Sequence, residues 1–243
     1  MMKAKPTIRA LLLLLLGTVL FYWQILLTRQ FSLLIEAEGV NQAYSWLNFW
    51  IASIRHATLP LWDPYTFAGH SFIGEMQTSA FYPLNLLLLL IPFNHNGVFS
   101  PQLYHQWFAF AHFLGACFMF ALARELGLSR FPAIIAGVCF SMGGLVARGE
   151  WLDMVQTAIW LPLVFLFFLR AVRAEERQRA IWYASLSGLL LGLAILAGRL
   201  HLVMMQAIVI VTAAAFAAFN TQLIGKMFRS KPWKTAAILT AVV

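Results

Sequence analysis

Charged residues are scarce in this chain, and their scarcity excludes most classes of soluble protein. Aspartate, glutamate, lysine and arginine together make up 11% of the 243 residues, whereas 61% of the residues are hydrophobic. The mean hydropathy is +0.77. Such a composition is typical of integral membrane proteins, so we expect an all-α, polytopic bundle of membrane helices.

Cysteine is scarce too, which excludes the common thiol-based sites. Cys117 and Cys139 both lie inside apolar runs, and the sequence has neither a CxxC pair nor the spacing of zinc ligands. We interpret both residues as small hydrophobic groups. No repeat of 20–50 residues and no second folded domain is evident in the sequence.

Long apolar runs, by contrast, are abundant, and they predict the membrane spans. The first run is too long for a signal-peptide core and no small-residue cleavage site follows it, so we expect an uncleaved helix. The chain stops inside a further apolar run, TAAILTAVV, which suggests a fragment that ends early in another helix. The predicted spans lie near residues 10–28, 104–123, 132–147, 155–170, 181–197 and 201–219, with a truncated span at 236–243.

The basic residues predict which side of the membrane each loop faces. Residues 84–93 are too few to cross and are bracketed by prolines, so we interpret them as an interfacial or re-entrant segment. The cytoplasmic side then holds 13 of the 17 basic residues, including every lysine, as the positive-inside rule requires. The N-terminus is therefore cytoplasmic and the first long loop external. The net charge of +8 reflects this topology and lipid headgroups rather than nucleic-acid binding.

The external loop over residues 29–103 is the longest connection, and a loop of about 75 residues without a function is uncommon. Its first part has apolar residues at helical spacing and predicts an amphipathic interfacial helix over 40–57. Asp63 followed by Pro64 is typical of a helix start, so one interpretation of Asp63 is structural. We interpret Trp62 and its aromatic neighbours either as interfacial anchors or as a wall for a sugar or lipid.

Polar side chains on the predicted outer side are the candidates for chemistry. Glu150 and Asp153 stand three residues apart and share one face if that turn is helical, although Glu150 could instead pair with Arg148. Arg148 and Arg199 each stand at a predicted helix end. One interpretation is that the planar guanidinium donates hydrogen bonds to a phosphate, and the other is that the side chain only extends to the membrane–water interface. Further external candidates are Glu38, Glu75, His70 and His201, and lone histidines are more often structural.

The run LPLWDPYTFAGHSFIGEMQTSAFYPLNLLLLLIP resembles the first-loop signature of bacterial YfhO-like membrane proteins, which are relatives of the GT-C glycosyltransferases. The shared features are Pro-Leu-Trp-Asp-Pro, a following glycine, Gln77-Thr-Ser and Phe-Tyr-Pro-Leu-Asn. Glu38 and Gln42 match the spacing of an acid and a glutamine just past the first helix, with Glu where Asp is usual. AGRLHLVMMQ is similar to a Gly-His-Pro-Gln-type turn of the family, but an Arg-Leu pair intervenes and the proline is missing. The resemblance covers roughly residues 10–220.

The resemblance implies a GT-C-like fold and a glycosyltransferase at the outer face of the bacterial cytoplasmic membrane. Such an enzyme moves a sugar, with inversion, from a polyprenyl-phosphate donor to a glycan, lipid or protein acceptor of the cell envelope. The leaving phosphate is already an anion. The reaction therefore needs a carboxylate to take the acceptor proton and positive charge near the phosphate.

The resemblance also assigns roles to residues. It makes Glu38 the first candidate for a base or metal ligand, with an acid of the 150–153 loop facing it, and such a pair could hold Mg²⁺ or Mn²⁺. The predicted catalytic residues are Glu38, Glu150 and Asp153, and Glu38 and Asp153 are the ligands if a divalent cation is used. The predicted substrate-binding residues are Gln42, Trp62, Asp63, His70, Glu75, Gln77, Arg148, Arg199 and His201.

Two other functions remain open at the level of the sequence. One is a multi-pass transporter or flippase for a lipid-linked substrate, and the other is a non-catalytic membrane scaffold. Transporters place ionisable groups near the membrane midplane, whereas no acid lies well inside a predicted span here. The sequence therefore favours chemistry at the outer surface.

Overall fold

The computed structural model, which describes residues 4–34, 39–66, 68–91, 99–144 and 151–219, is built mainly of helices. The all-α class predicted from composition is confirmed at this level. The α-helices are α1 (Ala4–Phe21), α2 (Trp23–Leu27), α3 (Ser45–Arg55), α4 (Pro101–Glu125), α5 (Arg130–Met142), α6 (Leu152–Ala158), α7 (Leu161–Arg173), α8 (Arg177–Leu196) and α9 (Leu200–Phe219). The first loop also holds a π-helix (Gly39–Tyr44), 3₁₀-helices (Met76–Thr78 and Pro83–Leu90) and the strands β1 (Trp62–Asp63) and β2 (His70–Ser71).

Three helical stretches are long and apolar enough to cross a membrane. They are Pro101–Glu125, Leu152–Arg173, which joins α6 to α7, and Arg177–Leu196. Shorter apolar helices occur at Thr7–Phe21, Arg130–Met142 and Leu200–Phe216. The three long stretches coincide with the predicted spans 104–123, 155–170 and 181–197, whereas the predicted spans 10–28, 132–147 and 201–219 overlap the shorter apolar helices. The predicted span at 236–243 and the end of the span at 132–147 lie outside the described residues.

Helix α4 is central to the bundle and packs against α1, α5 and α7. Its contact with α5 is close: a Cβ atom built on Gly137 would lie 2.7 Å from the carbonyl oxygen of Ala116. A polar contact joins the same two helices, since Nδ1 of His112 lies 2.7 Å from the carbonyl oxygen of Ser141. Small residues at such a contact let two helix backbones approach, as is common between membrane helices.

The first loop contains helical segments where the sequence predicts them. Its predicted amphipathic helix over 40–57 is found as the π-helix followed by α3, which buries Trp46, Leu47, Trp50 and Ile51. The other predicted segment, 84–93, is found as a 3₁₀-helix over Pro83–Leu90, and its last two residues lie outside the described chain. Proline fits the first turn of a helix because its missing N–H has no partner there in any case.

Candidate functional site

A polar cleft opens where the first loop meets α6 and the turn between α8 and α9. Its cavity volume, between α3, the 3₁₀-helical part of the loop and these two elements, is about 30 Å³. That is room for one or two water molecules, and it lies below the range of about 300–1,000 Å³ that is usual for ligand pockets. The polar side chains that line the cleft are Gln42, Gln77, Thr78, Ser79, Asn85, Asp153, Gln156 and Arg199.

Asp153 and Arg199 form a buried ion pair in this cleft. The guanidinium Nε lies 2.6 Å from Oδ2 of the carboxylate, and each residue is only 8% exposed. The guanidinium carbon also lies 3.8 Å from the ring centre of Trp151, which places the cation over an indole face. Carboxylate and indole together fix the position of the positive charge.

Hydrogen bonds and close packing also hold the backbone around Arg199 in place. Its N–H donates to the Thr157 hydroxyl over 3.2 Å, and the Thr157 carbonyl accepts from Gln206 Nε2, also over 3.2 Å. Gly198 has φ +107°, and a Cβ built there would lie 2.6 Å from the carbonyl oxygen of Met76. The turn before α9 therefore depends on glycine, both for its conformation and for its contact with the first loop.

Amide side chains connect the first loop to α6 below the cleft. Gln156 Nε2 donates to Asn85 Oδ1 over 3.1 Å, and Asn85 Nδ2 donates to the carbonyl of Ser79 over 3.4 Å. The hydroxyl of Ser79 donates to the carbonyl of Ala197 over 2.7 Å. All of these groups are buried, so their hydrogen bonds replace those that water would make.

An apolar groove lies beside the polar cleft on the first loop. It has a cavity volume of about 330 Å³ and is walled by residues that include Ile54, Leu59, Leu61 and Phe81. Its floor is the fully buried Tyr82, whose hydroxyl accepts a hydrogen bond from the indole of Trp160 over 3.0 Å. Burial raises the pKa of the Tyr82 phenol, so this side chain stays uncharged.

One helical stretch contributes residues to both the cleft and the groove. Gln42 and Trp46 line the polar cleft, whereas Trp50 and Ile54 line the apolar groove. These four residues recur every fourth position along the π-helix and α3, so each is the neighbour of the next along the helix surface. A polar site and an apolar site therefore follow one another along a single helical stretch.

Four residues that the sequence predicts for the site do meet in the cleft, namely Gln42, Gln77, Asp153 and Arg199. His70 lies behind the cleft wall, edge-on to Trp46 with 6.3 Å between ring centres. His201 is exposed, two residues past Arg199. The predicted residues Glu38, Glu150 and Arg148 lie outside the described part of the chain.

The remaining predicted residues have local contacts in the first loop. Asp63 is 2% exposed and accepts hydrogen bonds from the Tyr65 N–H at 2.9 Å and the Thr66 hydroxyl at 2.6 Å, so it shapes the turn between β1 and β2. Trp62 is 58% exposed. Glu75 caps the 3₁₀-helix Met76–Thr78 by accepting from the Gln77 N–H over 3.2 Å.

The described residues contain no set of side chains that could bind a metal ion. No group of three His, Cys, Asp or Glu side chains there could hold a metal ion. Asp153, one of the two predicted ligands, pairs with Arg199 instead, while Glu38 is not described. The divalent cation therefore stays a prediction from the resemblance.

Sequence reasoning missed the buried amides and indoles of the cleft. Asn85 and Gln156 interrupt apolar runs, and a polar residue inside such a run needs a partner, which is a signal that could have identified both. Trp46, an indole within the predicted interfacial helix, also lines the cleft. Comparisons of this chain with protein-family models, with curated proteins and with solved structures found no match.

Proposed function

We propose that this protein is a membrane glycosyltransferase that takes a sugar from a polyprenyl-phosphate donor at the outer face of a cytoplasmic membrane. The observation that carries the proposal is that neighbouring residues of one helical stretch, the π-helix and α3, line a polar cleft and an apolar groove. An amphiphile with a polar head and a single apolar chain has the chemistry that matches both parts. The acceptor is a hydroxyl of a glycan, lipid or protein of the cell envelope.

Arg199 supplies the positive charge that the departing phosphate needs. Its Nε faces Asp153 over 2.6 Å, and in this proposal its two terminal nitrogens face the ligand. These nitrogens form the fork that suits two phosphate oxygens. In this proposal Asp153 orients Arg199, and it is not the group that takes the acceptor proton.

In this proposal the cleft widens to admit the sugar ring, which uncharged groups of the lining bind. Trp46 offers an indole ring, and Gln42 and Gln77 offer carboxamides that both donate and accept hydrogen bonds. An uncharged, hydroxyl-rich ring presents apolar C–H faces and polar edges, so it matches such a mixed lining.

The transfer step then needs one further group, a base. The acceptor oxygen bonds to the anomeric carbon while the bond from that carbon to the phosphate oxygen breaks. The acceptor proton passes to a carboxylate, and polyprenyl phosphate leaves as the anion. By the resemblance of the first loop, Glu38 is that carboxylate, and Glu150 is the second candidate.

The test is transfer by the full chain in lipid nanodiscs. The donor is a polyprenyl-phosphate-linked, radiolabelled hexose, and the products are free polyprenyl phosphate and labelled acceptor. Glu38→Gln and Arg199→Ala should each lower transfer at least about a hundredfold. The matched control Glu175→Gln, at an exposed position in the loop between α7 and α8, should retain transfer.

Other outcomes identify the alternatives. If the protein moves labelled donor across a bilayer without cleaving it, the protein is a flippase. If it neither cleaves nor moves the donor while remaining folded, the scaffold interpretation holds and the enzyme proposal is wrong.

A further inference from the structure

Ser79 adopts a backbone conformation that is unusual for a residue with a side chain. Its φ is +52°, in the left-handed region, and it ends the 3₁₀-helix Met76–Thr78. That conformation costs free energy for any residue other than glycine, so it persists only where surrounding contacts hold it in place. Residues held in this way are concentrated at functional sites, which directs attention to what Ser79 contacts.

The contacts of Ser79 connect three parts of the chain. Its hydroxyl donates to the carbonyl of Ala197 over 2.7 Å, across 118 positions of sequence. Its own carbonyl accepts from Asn85, which in turn accepts from Gln156 of α6. Ser79 is 5% exposed, so water does not compete for these hydrogen bonds.

The carbonyl that Ser79 binds belongs to the turn that carries Arg199. Ala197 is followed by Gly198, whose added Cβ would lie 2.6 Å from the Met76 carbonyl and 3.1 Å from the Ser79 hydroxyl. Ser79 and Gly198 both have a positive φ, and they pack against each other so closely that no Cβ atom fits at Gly198. The next residue is Arg199, so a shift of this contact moves the guanidinium.

We propose that Ser79 is a positioning residue for Arg199, an inference that rests on the proposed function. Ser79 lines the same cleft, but its hydroxyl already donates to the Ala197 carbonyl, so we assign it no contact with sugar or phosphate. It joins the first-loop wall of the cleft, which carries Gln77, to the turn that carries the phosphate-binding cation. Without its hydroxyl the two walls are free to separate, and Arg199 loses its alignment even though Asp153 remains.

The experiment measures the position of Arg199 directly, with the full chain in nanodiscs. Phenylglyoxal modifies accessible arginines, and mass spectrometry follows Arg199 against Arg179, whose side chain is 69% exposed. Ser79→Ala removes the hydroxyl. Ser79→Gly also removes the hydroxyl, but glycine adopts the left-handed conformation without strain. Comparing the two variants therefore separates the effect of the lost hydrogen bond from the effect of backbone strain. Ser185→Ala, at an exposed position of α8, is the matched control.

We expect both Ser79 variants to raise the modification rate of Arg199 by about tenfold, as loss of one buried hydrogen bond implies, with no change for Arg179. In the transfer assay the same variants should lower kcat/KM about tenfold. Ser79→Gly combined with Arg199→Ala should be no worse than Arg199→Ala alone, because both act through one group. Ser185→Ala should match the unmodified protein in every measurement.

An unchanged rate at Arg199 in both variants overturns the inference. A raised rate with unchanged kcat/KM also overturns it, because Ser79 then has only a structural role. If the unmodified protein transfers no sugar, the proposed function is wrong, and the modification rate still decides whether Ser79 holds Arg199.

Discussion

At the scale of single residues, Asp153 and Arg199 are mutually dependent because both charges are buried. Removing one partner leaves the other as an uncompensated charge, so Asp153→Ala should destabilise the fold by about 3–5 kcal/mol. The double variant Asp153→Leu with Arg199→Leu removes both charges and should be less destabilised than Asp153→Ala. Chemical unfolding in detergent measures both free energies. If the double variant lost as much unfolding free energy as the two single charge removals added together, the pair would not be energetically coupled.

Gly198 provides a second residue-scale prediction. Gly198→Ala adds a methyl group against the Met76 carbonyl at φ +107°, so we expect a loss of about 2–3 kcal/mol in unfolding free energy. Gly192→Ala in α8 is the matched control, because its added Cβ meets no atom within 4 Å. The control should be neutral or stabilising, since alanine is the better helix former. Equal effects of the two variants in the same unfolding assay would show that the turn has room to adjust.

Some residues of the cleft could be predicted from the sequence, but their pairing could not. Asp153 and Arg199 could each be identified, because charges are few and both stand beside apolar runs. Their pairing could not, since 46 positions separate them and no local spacing relates the two. Asp63 is the converse case. Its structural interpretation needed only neighbouring residues, and Asp63 does bond to Tyr65 and Thr66 in a turn, but no helix begins at Pro64, so the predicted helix start is wrong.

At the scale of elements, the contact of α4 with α5 depends on the absence of a side chain at Gly137. Gly137→Ala places a methyl group 2.7 Å from the backbone oxygen of Ala116, which cannot rotate away as a side chain could. We expect a loss of about 1–3 kcal/mol in unfolding free energy. Gly17→Ala in α1 is the control, since its Cβ meets no atom within 4 Å, and it should not destabilise the protein. A neutral Gly137→Ala would mean that the two helices separate without cost.

Several helix bounds were predictable from the sequence, whereas the type of helix in the first loop was not. Apolar runs and basic flanks mark where a membrane helix ends, so the predicted spans 104–123, 181–197 and 201–219 agree with the observed helices to within four residues. Helix α1 is the exception, since it begins six residues and ends seven residues before the predicted span 10–28. The leucine-rich run after Pro83 has no polar spacing that distinguishes one helix period from another. Its 3₁₀ period becomes visible only in the structure, where Asn85 and Leu88, three positions apart, are the buried pair.

At the scale of the whole molecule, the first loop joins elements that the sequence keeps far apart. Ser79 binds the turn before α9, Asn85 binds α6, and Tyr82 binds Trp160 at the start of α7. Composition and charge predict a membrane protein with an external loop, because both depend only on totals and runs. The packing of that loop against helix ends depends on long-range pairs of single polar atoms, which no pattern in one sequence specifies.

The topology provides the last prediction, since the proposed site needs the first loop outside the cell and the loop between α7 and α8 inside. Cys117 and Cys139 are first replaced by alanine, so that each test protein carries one cysteine. Tyr65→Cys, at a position that is 84% exposed, should react with a membrane-impermeant maleimide in intact cells. Glu175→Cys, also exposed, should react only after the membrane is permeabilised. Labelling with the reverse order would place Asp153 and Arg199 at the cytoplasmic face, where an outer-leaflet donor cannot reach them.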